Sequence, residues 1–197
     1  MILNLLLILF SYLLGSIPTG LLVSKAFAKV DPRQSGSRNI GATNVLRAAG
    51  KTLGGITLAG DLLKGLIPVL VALWLRGGEM WIAAVALGAF LGHLFPLYLR
   101  FKGGKGVATA LGIYIPLVPL AILFNLFVFA AGVAISRTVS VGSLSAAAAM
   151  PILIWLWGYP RPYLILGLIV GGLIFYRHRE NIKRLLRGQE NKIWGRS

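Results

Sequence analysis

No charged residue occurs before Lys25. The run Ile2–Ser24 therefore offers a bilayer an uninterrupted apolar segment, and about 20 such residues cross the hydrocarbon core as a helix. Comparable runs follow at Thr52–Leu75, Met80–Leu99, Val107–Ile135, Val139–Trp157 and Pro162–Tyr176. Only 13% of the 197 residues are charged and 57% are hydrophobic, with a mean hydropathy of +0.81. Soluble domains carry about 25% charged residues. A chain this apolar cannot cover a globule with water-compatible groups, which excludes an ordinary soluble enzyme, a disordered tail and a fibrous protein. The expected class is an all-α integral membrane protein forming one domain over residues 1–197. With no cysteine, disulfides, thiolate zinc sites and a Cys nucleophile are excluded.

Pro116 and Pro119 interrupt the fourth run. Proline removes a helix donor and clashes with the preceding turn, so this run divides into a short helix, Gly106–Ile115, and a full one, Pro119–Ile135. Seven segments result instead of six. Charge decides between them. The chain has 20 Lys and Arg against 5 Asp and Glu. Four clusters hold 17 of the 20: Lys25–Lys51, Arg100–Lys105, the turn at Arg137, and the tail from Arg177 to Arg196. Seven crossings with the N-terminus outside place all four on the cytoplasmic side, as the positive-inside rule requires. Six crossings would divide them. The short fourth helix, at ten residues, rises only about 15 Å, so it must be shielded by protein or line a cavity. Ala26-Phe27-Ala28 resembles a signal cleavage site, but no basic residue precedes the apolar run, and the segment is read as retained.

Polar side chains concentrate in three places. Ser35–Arg47 sets Gly36, Gly41, Ser37, Thr43 and Asn44 between Arg38 and Arg47. Glycines let backbone N–H groups approach an anion, and arginine grips phosphate with its planar fork. The competing reading is a solvated Gly/Ser turn with ordinary cytoplasmic arginines. Lys102-Gly103-Gly104-Lys105-Gly106 opens the short helix, where a Gly-rich turn, a lysine and a helix N-terminus make an anion site; the alternative is a flexible hairpin with snorkelling lysines. The Walker A spacing is absent. Tyr176–Arg184, continued as a helix, puts His178 and Asn181 on one face and pairs Glu180 with Arg184. His178 is either a proton acceptor or an interfacial histidine on a basic tail.

Within the membrane, Asp61 and Lys64 stand three apart and are expected to pair inside the bundle, or Lys64 reaches a substrate phosphate. His93 reads as a hydrogen-bonded packing residue, and Asn125 as making an interhelical hydrogen bond. Ser143 either caps the sixth helix or reaches the same site as the loops. All three motifs and Ser143 map to one membrane face. Two have anion-binding chemistry and one offers a base, which suits a phosphorylated, partly apolar substrate.

These residues together resemble the acyl-phosphate:glycerol-3-phosphate acyltransferase family (PlsY) of bacteria. The resemblance runs from Gly15-Ser16-Ile17-Pro18-Thr19-Gly20 through Gly36–Val45 and Lys102–Thr109 to His178-Arg179-Glu180-Asn181-Ile182. Where that pattern commonly has glycine after the first-motif serine, this chain has Arg38. The resemblance implies a seven-helix enzyme of the bacterial cytoplasmic (inner) membrane, with its site facing the cytoplasm. It implies transfer of an acyl group from acyl phosphate to the 1-hydroxyl of sn-glycerol 3-phosphate, giving lysophosphatidic acid and phosphate. On this basis Ser37, Gly41, Thr43, Asn44 and Ser143 hold the acyl-phosphate head group. Arg47 and Lys105 neutralise the phosphates, Gly103 and Gly104 shape the turn, and His178 and Asn181 orient the attacking hydroxyl. Arg38 and Lys64 are further candidates for phosphate contact. The acyl chain lies in an apolar groove between helices. No metal, cofactor, nucleic acid or obligate protein partner is called for; the partners are the two substrates and membrane lipid. The His-x4-Asp dyad of other glycerolipid acyltransferases is absent, because Tyr98 and Lys183 occupy the positions five after His93 and His178. The competing class is a carrier for an organic phosphate or anionic lipid, which a broken helix and buried charges would also suit.

Overall fold

The structure, a computed structural model, describes residues 2–193. Arg196, counted above in the basic tail, lies outside the described residues. Every regular element among them is helical. Five segments are long and apolar enough to cross a bilayer: Ile2–Ala28, Lys51–Trp74, Glu79–Leu99, Pro119–Ser136 and Val139–Leu156. Large apolar side chains cover their outer surfaces, among them Leu3, Phe10, Trp74, Phe127 and Trp155. In water such a surface would drive aggregation; in lipid it is solvated. The chain divides into two compact units, one up to Pro116 and one from Leu117 onward.

The first unit starts with α1 (Ile2–Gly15). The expected single span to Ser24 is broken at Pro18, which cannot donate to the helix ladder; helical structure resumes as α2 (Thr19–Val23) and ends in a π-turn, Ser24–Ala28. A short 3₁₀ turn, Pro32–Gln34, leads to α3 (Ala42–Ala49). This amphipathic helix stands where the sequence reads as loop. Then come α4 (Lys51–Trp74) and α5 (Glu79–Leu94), joined by only four residues and packed antiparallel. The unit closes with α6 (Val107–Leu117). Helix backbones meet closely through small residues. A Cβ on Gly15 or Gly92 would strike the backbone of the other helix where α1 crosses α5, and one on Gly65 or Gly112 would do so between α4 and α6. Ser11 Oγ donates across the first crossing to Val85 O at 2.9 Å.

The break at Pro18 is tied down from inside. Lys64 Nζ donates to Ile17 O at 2.9 Å and pairs with Asp61 Oδ1 at the same distance. His93 Nδ1 lies 3.6 Å from the same carboxylate oxygen, and all three side chains are at most 5% exposed. The predicted Asp61–Lys64 pair is thus present, with Lys64 committed to the carboxylate and to a carbonyl at a helix break. Removing one partner from a buried charged pair typically costs about 3–5 kcal/mol.

In the second unit, α7 (Pro119–Ser136) and α8 (Val139–Leu156) form a hairpin through Arg137 and Thr138, and α9 (Arg161–Arg177) returns antiparallel to α8. The helix break anticipated between Pro116 and Pro119 falls at Val118, with Pro119 as the first residue of α7. There its missing N–H costs nothing. After α9 the backbone turns at His178 and continues as α10 (Arg179–Leu186). At 17 residues, α9 is slightly shorter than a full crossing, and α6 at 11 residues is far shorter.

Candidate functional site

The first polar loop is a knot closed by Asn44. Its amide nitrogen donates to Pro32 O at 2.6 Å, Asn39 O at 2.8 Å and Ser35 O at 3.2 Å. Its Oδ1 accepts from Ser37 N at 2.9 Å. The side chain is 2% exposed and fully spent on its own loop. Asn44 therefore shapes this loop and fixes the backbone that carries Ser37. Gly36, at φ +58°, fits because a Cβ there would fall on Asn44 Oδ1. Arg38 also takes a left-handed backbone, φ +53°, and is exposed. That conformation is one glycine adopts freely and a branched chain does not, which gives the departure from the common glycine a physical cost.

Two apolar pegs seat this loop. Ile40 and Val45 are 4% and 0% exposed, and a Cβ on Gly20 of α2 would meet Ile40 O, Thr57 and Val45. Gly41 precedes α3 and receives an Asx-type contact, its N–H donating to Asn39 Oδ1 at 2.8 Å. Thr43 stands in the first turn of α3, where backbone N–H groups lack helical acceptors; Arg47 follows one turn later on the same helix. Nearby, Asp31 takes three hydrogen bonds from the Arg33 side chain, the shortest 2.6 Å. Those bonds hold its carboxyl at about 2, against an ordinary 3.8.

The second loop is rigidly stitched, not a flexible hairpin. Gly103 N donates to Leu94 O at 3.2 Å, Gly104 N to His93 O at 3.1 Å and Phe101 N to Pro96 O at 2.9 Å. His93 O and Leu94 O end α5, so the loop satisfies acceptors that a helix C-terminus leaves open. Space is as tight as bonding. A Cβ on Gly103 would fall on His93 O and Pro96, and one on Gly104 on His93 Nε2. His93, predicted as a packing residue, is the floor of this turn. Lys105 follows, half-buried, then Gly106 at φ +83° opens α6. Because α4 and α5 are antiparallel, the α3 end of α4 and the loop after α5 lie at one end of the first unit.

In the second unit, Ser143, His178 and Asn181 gather at one end. Ser143 lies in the second turn of α8, and α9 ends at His178; the backbone N–H of Ile193 reaches Arg137 O at 2.8 Å, tying the tail to the α7–α8 turn. Ser143 Oγ donates to Val139 O at 2.9 Å. Thr138 holds the N-cap position, so the capping alternative for Ser143 does not hold. His178 is 2% exposed, and its Nδ1 lies 2.8 Å from Ile174 O. A carbonyl only accepts, so Nδ1 carries the hydrogen and Nε2 of the neutral ring is the acceptor nitrogen. Asn181 Nδ2 donates to Glu190 Oε1 at 2.6 Å, while Arg184 Nε donates to Glu190 Oε2 at 2.7 Å. The expected Glu180–Arg184 pair is absent: Glu180 is exposed and approaches Lys183 and Arg179 instead. Glu190 was missed in the sequence. Its only signal there is scarcity, one acid among five in a basic tail.

The arrangement defines an all-helical membrane protein. It carries two built, cation-bearing loops at one end of its first unit and a set of buried acceptors at one end of its second. A family model described as glycerol-3-phosphate acyltransferase matches residues 5–188. A protein of that name from Geobacter metallireducens is 54% identical over 194 residues, covering 98% of this chain and 99% of its own. One from Geotalea daltonii is 52% identical over 185 residues, covering 94% and 95%. A crystal structure of PlsY (YgiH), an integral membrane glycerol 3-phosphate acyltransferase in its glycerol 3-phosphate form, superposes with a TM-score of 0.93 at 42% identity, over 97% of this chain and 96% of that one. Its lysophosphatidic acid form matches at 0.90 and 41%, over 97% and 95%. The chain belongs to the glycerol-3-phosphate acyltransferase family.

Proposed function

We propose that this protein transfers an acyl group from acyl phosphate to the 1-hydroxyl of sn-glycerol 3-phosphate. The hydroxyl oxygen attacks the acyl carbonyl carbon, the bond from that carbon to the bridging phosphate oxygen breaks, and inorganic phosphate leaves with the electron pair. The hydroxyl proton passes to His178 Nε2 or to a phosphate oxygen. Because the donor is a mixed anhydride with a good leaving group, orientation and charge stabilisation suffice. The observation that carries this reading is family membership across residues 5–188.

The geometry supports a division of labour. Ser37, Gly41 and Thr43, on the loop that Asn44 knots, cradle the acyl-phosphate head group; Ser143 of the second unit adds a donor to phosphate by turning its hydroxyl from Val139 O. Arg47 and Lys105 neutralise phosphate, and Gly103 and Gly104 hold Lys105 in place. His178 and Asn181 meet the glycerol hydroxyls. Arg38 stays a candidate at the rim, whereas Lys64 serves the Asp61 pair. The chain crosses a bacterial inner membrane seven times, with the N-terminus outside and the polar loops and tail on the cytoplasmic side. Donor choice is the test. Purified protein given glycerol 3-phosphate should make product with palmitoyl phosphate and none with palmitoyl-CoA. Equal or better rates with the thioester would refute the acyl-phosphate assignment.

A further inference from the structure

After α10 the chain reverses. Gly188 adopts φ +67° and Gln189 N donates back to Arg184 O at 2.8 Å. Without a Cβ, glycine takes this left-handed turn at no steric cost. The reversal brings Glu190 against α10, where its carboxylate is only 8% exposed and bridges Asn181 and Arg184. Ile193 then fastens the arm to Arg137 O. Glu190 lies two residues beyond the segment that matches the family model.

A carboxylate can only accept, and Asn181 is therefore held with Nδ2 toward Glu190 and Oδ1 turned away. An asparagine left to itself can present either end of its amide. We propose that Glu190 is a positioning residue for the acyl acceptor. It fixes Asn181 so that a hydrogen-bond acceptor faces the glycerol hydroxyls, and Arg184 in turn holds Glu190. This rests on the role given above to Asn181. Two acceptors, Asn181 Oδ1 and His178 Nε2, select a hydroxyl donor and disfavour an oxyanion, so the clamp favours the glycerol end of the acceptor substrate over its phosphate.

Steady-state kinetics on Glu190→Ala, Glu190→Gln, Asn181→Ala and the double variant Asn181→Ala/Glu190→Ala test this, with palmitoyl phosphate and glycerol 3-phosphate varied separately. Glu190→Ala should raise KM for glycerol 3-phosphate about tenfold, a difference of about 1.4 kcal/mol, and leave KM for palmitoyl phosphate within about twofold. Glu190→Gln keeps an oxygen acceptor and should recover most of the loss. Since Glu190 acts through Asn181, the double variant should be no worse than Asn181→Ala alone. If Asn181→Ala is impaired but Glu190→Ala is normal, the Glu190 proposal fails and the site assignment stands. If Asn181→Ala is itself normal, both fail. A fall in melting temperature with both KM values rising equally means a plain brace and also overturns the proposal. Should Glu190→Ala not fold, Arg184→Ala must show the same acceptor-specific rise, and an unchanged KM there would overturn it.

Discussion

Lys105→Ala and His178→Ala should each lower turnover by roughly 100-fold or more while the protein still folds. In the proposed reaction both substrates carry phosphate, and the charge that builds on the leaving phosphate needs a fixed cation. Loss of one preorganised electrostatic group typically costs about 10²–10³ in rate. Lys105 is positioned for this by its neighbours: the stitched turn before it and the left-handed Gly106 after it leave the backbone little freedom. For His178 the relevant feature is its tautomer. With Nδ1 donating to Ile174 O, Nε2 of the neutral ring is the acceptor, and a positioned acceptor is worth about 10²–10⁴ in general base catalysis. His178→Gln is the informative companion, since it can still accept a hydrogen bond but cannot carry the proton. Circular dichroism and melting in detergent check the fold; near-normal rates in either alanine variant would contradict the site assignment.

Gly103→Ala should be nearly as damaging, although it adds one methyl group and removes no charge. The added Cβ falls on His93 O and Pro96 and comes within 2.6 Å of Leu94 O. Those are backbone atoms and a proline ring at the end of α5, and none can swing aside. The loop must lift, losing the bonds from Gly103 N and Gly104 N and carrying Lys105 with it. A misplacement of about 1 Å can cost about 10²-fold. We expect turnover reduced by about that factor, with helical content unchanged. Gly55→Ala is the control. Nothing lies within 4 Å of a Cβ there, and alanine in a helix interior is favoured over glycine by about 0.5–1 kcal/mol, so activity should hold.

Local chemistry explains what could be read in the sequence and what could not. Apolar runs and the prolines at 116 and 119 marked helices and their break because both effects act within one turn of chain. The same rule applied to Pro18 would have divided the first span, but the apolar run masked it. The helix α3 went unseen because its apolar residues, Val45 and Leu46, follow a stretch dense in Gly, Ser and Asn that reads as loop. Roles that depend on distant partners were harder still. The Asn44 amide bonds to three carbonyls up to 12 residues away, a shaping role that no local pattern announces. Arg184 has Glu180 at ideal helical spacing, yet it pairs with Glu190, because the chain reverses at Gly188 and no periodicity announces that reversal. His93 is buried, but what it packs against, the turn carrying Lys105, comes only from the fold.

One measurement addresses the central claim most directly. The purified protein in detergent is mixed with radiolabelled glycerol 3-phosphate and palmitoyl phosphate, and the lipid fraction is counted. Radiolabelled lysophosphatidic acid should appear in proportion to enzyme, with one inorganic phosphate released per molecule formed. Absence of labelled lipid, together with uptake of glycerol 3-phosphate into vesicles containing the protein, would make it a carrier and contradict the account.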